Sequence, residues 1–197
     1  MKRPLLAIIL AAAVTLPAFA ALKQGDIAPD FTAQASLAGK AFGFSLTDAL
    51  RKGPVVIYFY PSAFTEGCNI QAHQFAVKMD QFTAAGATVI GVSLDNISRL
   101  NAFSADPKYC AGKVPVASDS DGKIANSYQL QVAPEEHGFK DTRGVEVGHG
   151  FTERTTFVVA SDGRIAATIG GLAPAANVDR ALGEVQRLSG GGQPAKK

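Results

Sequence analysis

A proline, a threonine and a cysteine stand close together in this chain, at Pro61, Thr65 and Cys68. Residues 55–60 before them are apolar and aromatic, with β-branched residues, which is typical of a strand buried on both faces. Apolar residues then recur at helical spacing: Ala72, Phe75, Met79 and Phe82. The pattern therefore predicts Cys68 in the first turn of a helix that follows a central strand, with Gly67 loosening the turn between them.

A cysteine at the start of a helix is suited to nucleophilic chemistry. The reactive form is the thiolate, and a free thiol has a pKa of about 8.5. Unpaired N–H groups and the helix dipole favour an anion in the first turn, and Thr65 can place its hydroxyl on the same sulfur. The alternative is a buried structural cysteine. The grouping of proline, threonine and cysteine at a strand–helix junction favours the functional interpretation.

Three segments together resemble the peroxiredoxin family. Pro61-x-x-x-Thr65-x-x-Cys68 resembles the active-site motif of that family, and residues 22–31 resemble its usual opening. Residues 153–159 are similar to the strand that carries the family's active-site arginine, which is Arg154 here. The chain is identified as a member over roughly residues 22–189, nearest to the branch that resembles bacterioferritin-comigratory protein.

The resemblance implies a role for each matching residue. Cys68 is then the peroxidatic cysteine, Thr65 its hydroxyl partner, Pro61 the residue that shields it and Arg154 the guanidinium that stabilises it. The implied activity is a thiol-dependent peroxidase. It reduces hydrogen peroxide and organic hydroperoxides through a cysteine sulfenic acid, and a thioredoxin-like or other dithiol reductant recycles it. No cofactor or metal is implied.

Two other functions stay open at this point. A thioredoxin fold can also carry a non-catalytic redox sensor or a binding module, because fold alone does not fix function. A disulfide oxidoreductase of the thioredoxin type normally needs a Cys-x-x-Cys pair, and residues 69–71 after Cys68 contain no second cysteine. Peroxide turnover with a dithiol separates an enzyme from a sensor.

The chain has only one other cysteine, Cys110. Relatives in the nearest branch often carry a resolving cysteine five residues after the first, where this chain has His73, and a glutamate where it has Gln71. Cys110 follows a helix predicted over residues 96–104, a place that resembles the resolving position of some other monomeric peroxiredoxins. A static structural disulfide, or a free Cys110 with an external resolving thiol, remain alternatives.

The other elements predict an α/β protein with the thioredoxin fold, in which helices flank a mixed central sheet. A second buried strand is predicted over residues 88–94, and the helix between it and the first strand requires a parallel pair. The remaining predictions are an N-terminal hairpin (31–36 and 41–45), a helical turn (46–51), a short strand (114–118), a turn followed by a short helix (121–130), a long loop (131–150), a hairpin around Asp162-Gly163 (155–160 and 164–169) and a C-terminal helix (178–189).

Length and composition favour a single globular domain. The chain has 197 residues, 47% of them hydrophobic and 18% charged. The balanced charge gives no basic face for nucleic acid. The histidines His73, His137 and His149 lack ligand spacing, which argues against a metal site but does not close the question.

The first twenty residues have the layout of a secretory signal peptide. A positive start at Lys2 and Arg3 precedes an apolar stretch, and residues 18–20 form an Ala-x-Ala cleavage site. Removing those two residues from the 19 basic ones leaves 17 against 17 acidic residues. We expect a signal peptide (1–20), a peroxiredoxin domain (21–189) and a flexible tail (190–197). The mature protein is expected in the bacterial periplasm or outside the cell, as a monomer or weak dimer without stable membrane association. An uncleaved membrane anchor is the alternative.

Overall fold

The apolar run after residue 54 forms an inner strand of a seven-stranded mixed sheet. The computed structural model describes residues 21–190, so the predicted signal peptide and the tail beyond Gly190 lie outside the described residues. The strands are β1 (Thr32–Leu37), β2 (Lys40–Ser45), β3 (Val55–Phe59), β4 (Thr88–Ser93), β5 (Val116–Ser118), β6 (Val132–Ala133), β7 (Phe151–Thr152), β8 (Thr155–Val159) and β9 (Ile165–Gly170). The helices are α1 (Leu46–Leu50), α2 (Glu66–Ala84), α3 (Ile97–Ala105), α4 (Lys123–Ser127) and α5 (Pro174–Ser189).

The strand order across the main sheet is β2-β1-β5-β4-β3-β8-β9. β3 pairs with β4 in parallel and with β8 in antiparallel orientation. The helix α2 connects the two parallel strands, so the predicted βαβ unit is confirmed. The N-terminal hairpin of β1 with β2 and the hairpin of β8 with β9 also form as predicted.

Alternating side chains of β3 fill two separate cores. Val56, Tyr58 and Tyr60 pack in one apolar cluster with residues of α2, α3 and α5. Val55, Ile57 and Phe59 pack in the other, with residues of α1 and α4. Because both faces of the strand are covered, every residue of β3 is buried, which explains the unbroken apolar run. The arrangement agrees with the predicted thioredoxin fold.

The segment predicted as a long loop over residues 131–150 is more ordered than its polar composition indicates. Its start forms β6, which pairs with β7 in a separate two-stranded sheet. The buried carboxylate of Asp141 accepts the backbone N–H groups of Arg143 and Val145, and thus folds the middle of the segment on itself. Because these hydrogen bonds join polar groups within the segment, the spacing of apolar residues in the sequence does not reveal them. No helix within residues 21–190 combines the length and apolar character needed to cross a membrane.

Candidate active site

The start of α2 positions Cys68. Thr65 is the N-cap residue in extended conformation, and Cys68 follows in the first helical turn with 2% of its surface exposed. Phe64, just before the cap, has a φ of +64°, a left-handed conformation that is uncommon for a residue other than glycine. The chain therefore makes a sharp turn between the end of β3 and the helix, and this turn brings the sulfur to the helix N-terminus as predicted.

Arg154 supplies the positive charge of the site. It lies one residue before β8, and its Nη2 donates to the Cys68 Sγ at 3.3 Å. Its Nη1 donates to the side-chain carbonyl oxygen of Gln71, which is on α2 three residues after the cysteine. One guanidinium thus contacts both residues, as its fork of donors allows. The prediction that Arg154 and Cys68 come together agrees with this geometry.

A buried hydrogen-bond network holds Gln71 in this orientation. Its Nε2 donates to Asn177 Oδ1 at 3.0 Å, and that same oxygen accepts from the Thr156 hydroxyl at 2.6 Å. The Asn177 Nδ2 donates to the carbonyl oxygen of Ile169 at 3.0 Å. The amide of Gln71 therefore presents its oxygen to Arg154. Helices α2 and α5 and strands β8 and β9 all contribute to placing the guanidinium.

The hydroxyl of Thr65 does not act as predicted. Its Oγ1 donates to the carbonyl oxygen of Ser62 at 2.8 Å, so its hydrogen is directed into the preceding turn and away from the sulfur of Cys68. The expectation that it hydrogen-bonds that sulfur is wrong for this conformation, because the turn at residues 62–65 offers a nearer acceptor. The lone pairs of the Thr65 oxygen remain able to accept. Pro61 is half-buried and directly follows Tyr60, the first residue after the end of β3.

Cys110 is free and fully buried in the turn after α3. Its side chain belongs to the same apolar cluster as Cys68, on the same face of the sheet. Burial, and then the charge of Asp106, raise the pKa of the Cys110 thiol, so this group stays protonated in the folded protein. The ring Nδ1 of His73 lies 3.1 Å from the carbonyl oxygen of Lys108, so this face of α2 lies against the segment that carries Cys110.

A second group of polar residues, which the sequence analysis did not single out, surrounds the turn before Cys68. The buried carboxylate of Asp95 accepts from the Ser62 hydroxyl at 2.9 Å and from the Ala63 N–H at 2.7 Å. One signal was present in the sequence. Asp95 comes just after an apolar strand, and the carboxyl ends of parallel strands are where binding residues gather.

The sequence of this chain is similar to those of known proteins. The sequence matches the AhpC/TSA family over residues 24–168. It is 34% identical over 142 residues to a putative peroxiredoxin bcp of Helicobacter pylori J99, covering 72% of this chain and 84% of the relative. It is 30% identical over 144 residues to peroxiredoxin Bcp of Escherichia coli K12, covering 73% of this chain and 83% of the relative.

Solved structures agree with these sequence relatives. Peroxidoxin BcpB from Mycobacterium tuberculosis superimposes with a TM-score of 0.70 at 25% identity, covering 85% of this chain and 98% of that one. A peroxiredoxin Q from Xanthomonas campestris gives a TM-score of 0.62 at 25% identity, covering 79% of this chain and 90% of that one. The predicted family and fold are therefore confirmed. The chain belongs to the AhpC/TSA family and is a peroxiredoxin, a thiol-dependent peroxidase.

Proposed function

We propose that Cys68 is the peroxidatic cysteine of this enzyme. Its thiolate attacks the nearer oxygen of a hydroperoxide, and an S–O bond forms as the O–O bond breaks. The sulfur is oxidised to a sulfenic acid, while the departing oxygen takes up a proton and leaves as water or an alcohol. The observation that carries this proposal is the 3.3 Å contact of Arg154 Nη2 with the Cys68 Sγ at the start of a helix.

The residues around the sulfur have complementary tasks. Arg154 pairs with the thiolate before the reaction and with the departing oxygen during it, because a fixed guanidinium needs no reorganisation as charge moves. Thr65, whose own hydrogen is engaged by Ser62, offers lone pairs that accept the O–H of the incoming hydroperoxide. Pro61 is assigned to shielding the sulfur from water.

We further propose that Cys110 resolves the sulfenic acid within one chain. The thiol of Cys110 attacks the oxidised sulfur of Cys68, a disulfide forms and water leaves. An external dithiol, of the thioredoxin kind, then reduces this disulfide by exchange. Both sulfurs are buried and both cysteines are free in the folded protein, so the first turn of α2 and the turn after α3 must open locally before they meet.

The compartment of the enzyme is also a proposal. The segment 1–20 has the positive start, apolar stretch and Ala-x-Ala end of a signal peptide, which supports export to the periplasm or beyond, as a monomer or weak dimer. Fractionation of cells that express the full chain tests this, together with sequencing of the mature N-terminus. A cytoplasmic protein that retains Met1 contradicts export.

The peroxidase mechanism is tested by mixing the prereduced protein with hydrogen peroxide in a stopped-flow instrument. The wild-type protein should consume one equivalent rapidly and then turn over with a dithiol. Cys68→Ser should consume none, and Cys110→Ser should retain the first step. Rapid reaction of Cys68→Ser contradicts the assignment. A single oxidation of the wild-type protein without turnover supports a sensor instead.

A further inference from the structure

The carboxylate of Asp95 is the centre of a buried ionic network beside the peroxide-binding turn. Its side chain is fully buried and is surrounded by donors. They are the Ser62 hydroxyl at 2.9 Å, the Ala63 N–H at 2.7 Å, the Ser93 hydroxyl at 2.7 Å and the His149 Nε2 at 2.8 Å, and the Arg99 Nε lies 2.8 Å away in an ion pair without a hydrogen bond. Two of these five belong to the segment that leads into Cys68.

Arg99 holds the other side of the same peptide. Its Nη2 donates to the carbonyl oxygen of Ala63 at 2.8 Å and to Asp141 Oδ2 at 2.7 Å. The N–H of Ala63 is held by Asp95 and its carbonyl by Arg99, so both backbone groups of this residue are fixed by charged side chains. Charge-assisted hydrogen bonds are stronger than neutral ones, and here they fix the chain five residues before the reactive sulfur.

Phe64 shows why such fixing is needed. Its left-handed backbone, with a φ of +64°, is strained for a residue other than glycine, so the surroundings must stabilise it. The N–H and the hydroxyl of Thr142 both donate to the Phe64 carbonyl oxygen, at 3.0 and 2.8 Å. The guanidinium of Arg143 lies over the Phe64 ring at 3.2 Å. The segment 141–149 therefore covers the outer side of the turn.

The contacts of His149 require both ring nitrogens to carry a hydrogen. Nδ1 lies 2.7 Å from the carbonyl oxygen of Gly150, which can only accept, and Nε2 lies 2.8 Å from the Asp95 carboxylate. Burial opposes the charged ring, but the hydrogen bond and charge of Asp95 outweigh it and raise the pKa of His149 above its ordinary value of 6.5. The side chain is 16% exposed, so solvent can remove its proton.

Other charged groups face this ring and set the balance of charge. Arg99 from α3 opposes the protonated form of His149, whereas Asp95 favours it. Asp141 is neutralised by Arg143 and Arg99, and the phenol of Tyr60 on the β3 side is held neutral, because burial and then the charge of Asp95 raise its pKa. When His149 loses a proton, one of its ring nitrogens no longer carries a hydrogen. That nitrogen then faces another acceptor, either the Asp95 carboxylate or the Gly150 carbonyl oxygen, and the contact between them must break.

We propose that Asp95, held by Arg99 and a doubly protonated His149, is the positioning residue for the peroxide-binding turn, and that deprotonation of His149 releases this turn. The inference rests on Cys68 as the peroxidatic residue. Release has two effects with opposite signs. Attack on peroxide slows because Thr65 and the helix start lose their alignment, while the sulfenic acid reaches Cys110 more easily because the turn opens at lower cost.

The test compares the wild-type protein with His149→Gln and a matched control, His137→Gln. His137 is an exposed histidine of the longer segment 131–150, and within the part of the chain described its ion pair is with Glu135. The rate constant of the prereduced protein with hydrogen peroxide is measured from pH 6 to pH 9, and the titration of the His149 ring is followed by NMR. Protection of the Ala63 amide against hydrogen exchange is measured on the same samples without peroxide.

We expect the wild-type rate constant to fall by about tenfold as the His149 ring loses its proton, the size of effect that a lost charged hydrogen bond gives. The protection factor of Ala63 should fall at the same pH. The fall of the rate constant and the fall of the protection factor should both persist in His137→Gln. Both should be absent in His149→Gln, whose neutral amide does not titrate. His149→Gln should also form more disulfide and less sulfinic acid at excess peroxide.

Two results overturn the proposal. One is a rate constant and an Ala63 protection factor that do not change while the His149 ring titrates. The other is a rate constant and a protection factor that fall with pH in His149→Gln as they do in the wild-type protein. If the wild-type protein fails to react with peroxide but Ala63 protection still follows His149, the positioning of the turn stands and the role of Cys68 is what fails. Circular dichroism of each variant shows whether it is folded.

Discussion

Gly67 lies directly against the guanidinium of Arg154. A Cβ at position 67 would come within 3.1 Å of Arg154 Nη2 and within 3.5 Å of Pro174 Cγ. The glycine is inside the first turn of α2, where a glycine normally weakens a helix, so its value lies in the room that it leaves. The sequence-based interpretation assigns Gly67 to loosening the turn before the helix, whereas the structure places this glycine inside α2. It lets the arginine reach the sulfur of Cys68.

Gly67→Ala should therefore slow peroxide attack, by about threefold to tenfold, because the guanidinium must move by a few tenths of an ångström and a displaced donor stabilises less charge. The measurement is the stopped-flow rate constant with hydrogen peroxide. The matched control is Gly183→Ala on α5, where a Cβ meets nothing within 4 Å. That change should raise the free energy of unfolding by about 0.5–1 kcal/mol without altering the rate. Equal rates for Gly67→Ala and wild type would contradict the assignment.

Replacing Arg154 by methionine should lower the rate constant for peroxide by about 10²-fold or more, the loss typical of one preorganised donor at a reacting charge. Arg154→Lys should recover part of the rate, because an ammonium keeps the charge but cannot reach Cys68 and Gln71 together with a fork. The comparison of the three proteins separates charge from geometry. If Arg154→Lys is as slow as Arg154→Met, the whole loss of rate is due to the paired hydrogen bonds of the guanidinium and not to its charge.

The buried amide of Asn177 should matter for both stability and rate. Asn177→Ala leaves Gln71, Thr156 and the Ile169 carbonyl without their partner, and we expect the free energy of unfolding to fall by about 2–3 kcal/mol. The peroxide rate should fall too, since Gln71 no longer orients Arg154. Urea denaturation and stopped-flow kinetics measure the two effects. A destabilised variant with wild-type kinetics would show that the network supports the fold alone.

In Cys110→Ser the first oxidation should proceed normally, and the sulfenic acid on Cys68 should then persist, because the other cysteine of the chain is gone. A sulfenic-acid-specific trap followed by mass spectrometry detects it. The wild-type protein, after one equivalent of peroxide, should instead give a Cys68–Cys110 crosslinked peptide in monomeric protein. A crosslink found only between chains, or a persistent sulfenic acid in the wild type, argues for an external resolving thiol.

The ion pair of His149 with Asp95 should give stability a defined pH window. Burial alone would raise the pKa of Asp95, but the contacts of His149, Ala63 and Ser93 lower it below 3.8, so its contribution is lost as pH falls through the lowered value. The raised pKa of His149 means that its contribution is full below pH 6.5 and is lost as pH rises through the folded value. Urea titrations of wild type and His149→Gln should therefore differ most between about pH 4 and pH 6.5, and a constant difference contradicts the pairing.

Much of the fold could be predicted because its signals are local. The two-sided burial of β3, the helical spacing after Cys68 and the Asp162-Gly163 turn each involve neighbouring residues. The direction of the Thr65 hydroxyl could not be read this way, because the nearest acceptor depends on how the preceding turn closes. The partners Asp95 and His149 are 54 residues apart in the sequence. Asp95 follows the end of β4 and His149 lies in an irregular segment, so no periodicity of the sequence links them.

The depth of Cys110 has a consequence for the order of chemical events. A protonated thiol with no exposed surface cannot be captured by small disulfides, alkylating reagents or metal ions while the protein is folded. The thiol that resolves the sulfenic acid is therefore kept unreactive and becomes available only when the first turn of α2 and the turn after α3 open. Iodoacetamide added to the folded, reduced protein should accordingly label this position far more slowly than it labels the unfolded chain.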